Sequence, residues 1–104
     1  MVQIPILFKD DEISTANPPK LKKGVKNYYE LVFNLPSGMR GKHKAVRIES
    51  LTKVEHVPLI NNKCIIPAMF SNSSEIHITL FIKGEQLIET NTLTLKAGGN
   101  LWQV

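Results

Sequence analysis

Eight of the chain's thirteen Lys and Arg residues fall within residues 20–47: Lys20, Lys22, Lys23, Lys26, Arg40, Lys42, Lys44 and Arg47. Only Glu30 opposes them there. Lysine at this density attracts anions, either phosphates or acidic protein surfaces. A β-fold nucleic-acid binder pairs such charge with exposed rings on which bases stack. Tyr28 is the one ring free for that work, because Tyr29 and Phe33 fall on the apolar side of their segment. The stretches "KLKKGVK" and "RGKHK" are therefore expected to form one basic end of the molecule that meets an acidic protein partner. A small basic β-barrel that binds nucleic acid through residues 20–47 is the alternative.

Other reactive side chains are sparse. Asp10, Asp11 and Glu12 adjoin, but they lack the glycine and the distal glutamate of a calcium-binding loop, so they read as a solvated charge run. His43, His56 and His77 lie on three different segments with no ligand spacing and read as surface or cross-strand residues. Cys64 is the single cysteine, which excludes an internal disulfide and a cysteine zinc cluster. Its apolar setting, "NNKCIIP", predicts a buried structural thiol. No nucleophile elbow, phosphate-cradling glycine loop or His-Glu-x-x-His is present, and "AGGN" at 97–100 precedes no helix. The expected chain is noncatalytic, with no cofactor and no metal. Carbohydrate binding would need more exposed rings than seven aromatics, several of them inward-facing, provide.

The elements that position these groups are strands. In "IHITLFI", Ile76, Ile78, Leu80 and Ile82 share one face. The following "KGEQ" turns, with Gly84 free to take positive φ, and alternation resumes through Leu93 and Leu95, so residues 76–96 predict a hairpin. Tyr29, Leu31, Phe33 and Leu35 share a face until "PSG" at 36–38 ends the run. Val46 and Ile48 oppose Arg47 and Glu49, and "VEHVPLI" and "KCIIP" are shorter apolar pieces. "VQIPILF" predicts an edge strand, because Pro5 has no donor for a ladder. "PAMFSNSSE" has room for one helical turn at most. About seven short strands with turn signals between them predict an antiparallel β-sandwich, with a small β-barrel as the alternative.

The chain of 104 residues suits a single domain over 1–104, with a long polar loop at 9–24 and a flexible C-terminal tail at 97–104. Hydrophobic residues make up 42% and the net charge is +4, an ordinary globular balance that excludes wholesale disorder. The start lacks a positive n-region and a cleavage site, and no apolar run approaches the roughly 18 residues of a membrane span. A soluble chain made in a reducing cytoplasm is expected.

"NYYELVFNLP" followed by "GKHKAVRIE", then "NNKCIIP" and "GEQLIETNTLTLKAG", together resemble the small immunoglobulin-like β-sandwich modules of Gram-positive phage tail and baseplate proteins. The resemblance covers roughly residues 25–97, and the first 24 residues have no counterpart in it. It implies a virion structural component that docks to other subunits as a homo-oligomer or larger assembly, with no catalysis and no cofactor. The expected contacts are the 9–24 loop, the lysines named above, and Leu101, Trp102 and Val104 of the tail.

Overall fold

In the computed structural model, which describes residues 1–98, eight strands form two four-stranded sheets packed face to face in a β-sandwich. The strands are β1 (Val2–Lys9), β2 (Glu12–Ser14), β3 (Tyr29–Asn34), β4 (His43–Glu49), β5 (Val54–Pro58), β6 (Lys63–Ile65), β7 (Glu75–Lys83) and β8 (Leu87–Lys96). One sheet has the order β2-β1-β3-β6 and the other β5-β4-β7-β8, so no single closed barrel forms. All pairings are antiparallel except β1 with β3, which run parallel.

Alternation sets what faces inward. Ile4, Ile6, Leu31 and Phe33 of the first sheet meet Val46, Ile48, Ile76, Ile78, Leu80, Ile82 and Leu95 of the second, all buried in one core. Burying each Leu or Ile contributes about 1.5–3 kcal/mol. Ala68–Phe70 forms one short 3-10 turn that plugs Phe70 into this core.

The residues expected to be a long loop at 9–24 behave differently. Asp10 and Asp11 both adopt positive φ, and Lys9 pairs with Glu12 across them. That is the geometry of a two-residue hairpin, in which Asp tolerates the left-handed region better than most side chains. The acidic run is thus the turn that creates β2. Asn61 and Asn62 repeat the device between β5 and β6, where Ile60 and Lys63 exchange both backbone hydrogen bonds.

Pro5 also has a more specific place than an edge strand. Val2 donates its N–H to Tyr28, so alternation turns the Pro5 nitrogen away from β3. On that outer side β2 reaches only Leu7–Lys9, so proline occupies the open half of a strand that is interior over its other half. In the β7–β8 hairpin Lys83 pairs with Leu87 as expected. Its Gly84 does not use positive φ, unlike Gly24 and Gly41. It leaves space for the Lys42 stem, whose Cε would lie 3.0 Å from an added Cβ.

Candidate interaction surfaces

The two lysine clusters do not share an end of the sandwich. Leu21 donates its N–H to Lys96 and accepts from Gly98, while Gly24 donates to Ser71. Those contacts place residues 20–26 where β7 begins and β8 ends. Lys42 lies against Gly84, where β7 ends. The nine residues of β7 separate the two places by about 30 Å at the usual strand rise. The single basic end expected from sequence is corrected accordingly: β3 carries the chain across the molecule between the clusters.

They also differ in company. Lys20, Lys22, Lys23 and Lys26 are all exposed, and residues 15–29 contain no Asp or Glu. None of the four forms an ion pair among the described residues. At the other end, Lys42 is half-buried and shares a hollow with Asp11 and Glu85. Lys44 lies within β4, in register with the inward Val46 and Ile48, and is half-buried too. Arg40 alone of that group is fully exposed. Arg47 serves the outer sheet face: its guanidinium lies 5.1 Å from the Phe81 ring centre, and its Nε 2.6 Å from Glu49 Oε1.

The two flanks, where sheet edges face each other, are unlike. On one, Asn91 of β8 accepts from the Ile13 N–H through Oδ1 (2.6 Å) and donates through Nδ2 to the Ile13 carbonyl (3.0 Å). Its amide thus imitates a ladder residue and joins the β2 edge to the β8 edge. Asn91 occupies a bulge in which Thr90 and Asn91 oppose Leu80, and the Thr90 hydroxyl accepts the Leu80 N–H at 3.0 Å. On the other flank, β5 and β6 border a cleft lined by Val57, Pro58, Ile60, Cys64 and Ile65, with Glu30 and Lys63 at its rim. Ile60 is 73% exposed and Ile65 38%.

Cys64 is buried, as its apolar setting predicts. Burial, with the Glu30 carboxylate as a smaller influence, pushes its thiol up to about 12. It stays protonated at neutral pH, the opposite of an activated nucleophile. His77 bonds Thr94 across strands at 2.9 Å through Nδ1. Among the described residues, no three His, Cys, Asp or Glu side chains converge as a metal site requires. Among the described residues no helix is long and apolar enough to cross a membrane. The expected tail begins with residues that are tied down, since Ala97 bonds Ser74 and Gly98 bonds Leu21. Leu101, Trp102 and Val104 lie outside the described residues.

Sequence missed both the Asn91 seam and the open flank. A signal for the first exists, because the inward set in β8 changes parity from Ile88 and Thr90 to Leu93 and Leu95. The second depends on which edges become neighbours. No protein family, curated protein or solved structure matches the chain.

Proposed function

We propose that the protein is a noncatalytic assembly module that works through protein–protein contacts, as a component of a phage tail or baseplate. The observation that carries this reading is the open flank, where Ile60 and Ile65 leave apolar surface in water beside a cleft that Val57, Pro58 and Cys64 also line. Concentrated apolar surface of this kind marks interaction sites. The virion context and the immunoglobulin-like affinity rest on the resemblance of residues 25–97 to such modules. The rival reading is nucleic-acid binding across residues 20–47, whose two basic clusters lie about 30 Å apart.

Size-exclusion chromatography with light scattering tests the reading. The chain is expected to run as a defined oligomer of its 11.7 kDa protomer. The double variant Ile60→Glu, Ile65→Glu should then run as a folded monomer by circular dichroism. A wild-type monomer at about 0.1 mM, where weak interfaces still form, counts against self-assembly. An oligomer that survives both substitutions moves the contact elsewhere. Tail genes flanking the coding sequence are the expected sign of the virion role.

A further inference from the structure

We propose that a second copy of this chain packs on the outer face of the first sheet about a two-fold axis, with Glu30 of each copy meeting Lys63 of the other. The proposal rests on the assembly reading above and specifies the partner and its geometry.

The two outer faces of the sandwich differ. On the second sheet the outward groups bond one another. Thr79 meets Thr92 at 2.9 Å, His77 meets Thr94 at 2.9 Å, and the Arg47 guanidinium that pairs with Glu49 also lies over the Phe81 ring. On the first sheet Ile4, Ile6, Leu31, Phe33 and Cys64 point into the core, so alternation turns Pro5, Leu7, Val32 and Ile65 outward. Pro5, Leu7 and Ile65 are exposed, and Val32 is half-buried. The register sets Pro5 beside Val32, Val32 beside Lys63, and Glu30 beside Ile65. Pro5, Val32 and Ile65 therefore form an apolar diagonal across β1, β3 and β6, and its Ile65 end reaches the cleft of the open flank. Apolar surface rimmed by polar groups marks an interaction site.

The charges point to a second copy as the occupant. Glu30 lies on one side of the diagonal and Lys63 on the other. Neither forms an ion pair among the described residues, and Glu30 accepts only from Gln3 Nε2 at 3.0 Å. The outward charges on these four strands are Lys9, Glu12, Glu30 and Lys63, which cancel on a chain of net charge +4. Two copies of a basic chain repel in general, but this face adds nothing to that repulsion. A two-fold contact needs a patch that complements itself. An axis laid in the interface along the diagonal brings Val32 close to Val32 of the second copy. The same axis carries Glu30 onto Lys63 and Lys63 onto Glu30.

Size-exclusion chromatography with light scattering on the full chain tests this, at roughly 50 mM salt so that charge contacts are weakly screened. Wild type is expected at twice the protomer mass. Glu30→Lys alone and Lys63→Glu alone each place like charges together across the axis twice. Each should raise the dimer dissociation constant about tenfold or more. An equal mixture of the two variants should recover the dimer, because in the mixed pair every base again meets an acid. The chain carrying both reversals should dimerise like wild type. Glu89→Lys, the same charge change at an exposed position of β8, should leave the mass unchanged. Circular dichroism checks that each variant folds. A mass above the dimer, a dimer that survives both single reversals, or a mixture that stays dissociated overturns this geometry and leaves the assembly reading standing. A wild type that stays a protomer at about 0.1 mM overturns self-assembly as well.

Discussion

The two flanks of the sandwich solve the same problem in opposite ways. A pair of stacked sheets leaves two seams where strand edges and core residues approach water. At the β2–β8 seam, the Asn91 amide satisfies both backbone groups of Ile13, whose side chain is buried. At the β5–β6 seam the chain crosses from one sheet to the other through the Asn61–Asn62 turn, and no side chain bonds edge to edge among the described residues. Apolar side chains lie half out instead. One seam is closed by polar bonds within the chain, and the other leaves apolar surface open to water. On the proposed assembly role, stability would rest on one flank and association on the other, and the substitutions below test that division.

The largest effect is expected at Asn91. Asn91→Ala removes both bonds to Ile13, so its backbone groups lose their partners at a part-buried position. Leaving such groups unpaired costs about 1–3 kcal/mol each, and the partly exposed seam places the total near 2 kcal/mol. Urea denaturation measures it. Hydrogen exchange at the Ile13 amide should accelerate more than at Leu31, which sits deep in the same sheet. Equal loss from Ile60→Ala on the open flank would erase the contrast between the seams.

Thr90→Val comes next. Valine keeps the shape but cannot accept the Leu80 N–H, which lies opposite the bulge with no carbonyl in reach of the regular ladder. A cost of about 1–2 kcal/mol follows for a buried donor left unpaired. Thr92→Val removes the partner of the Thr79 hydroxyl, which is buried, and is expected to cost about 0.5–1 kcal/mol, less than at Thr90 because Thr92 itself is exposed. If the two losses were equal, the bulge would have no special need of a hydroxyl.

These positions also mark where sequence stops being informative. Which side chains face inward follows from period two, and Ile76, Ile78, Leu80, Ile82, Tyr29, Leu31, Phe33, Val46 and Ile48 are buried as alternation predicts. Strand β2 escaped because three residues are too few to show a period, and because Asp-Asp and Asn-Asn are weaker turn signals than pairs with glycine. The parallel partnership of β1 and β3 joins segments more than twenty residues apart, and nothing local encodes it. The lysine clusters illustrate the same limit. They are close along the chain, but a strand between them spends its length crossing the molecule, so proximity in sequence becomes distance in space. Lysine content showed which loop carries charge; only packing showed that Leu21 and Val25 hold it still.

The smallest effect on stability, and the sharpest test of the open flank, is expected at Pro58. Leu59 donates its N–H to Lys44, so alternation directs the N–H groups of Val54 and His56 outward along the free edge of β5. The Pro58 nitrogen points the same way and has nothing to donate. Pro5 occupies the matching position on the free half of β1. Proline on both open edges discourages strand-to-strand pairing with other copies, which leaves faces and clefts as the surfaces for association. Pro58→Thr restores a donor and should change monomer stability by no more than about 1 kcal/mol, the usual scale of proline's effect on the unfolded chain. It should nonetheless raise association. Introduced into the Ile60→Glu, Ile65→Glu variant, it separates the two modes: light scattering that rises again reports edge pairing that proline had blocked. A chain that stays monomeric would mean that Glu55 and Lys53 already guard the edge without it.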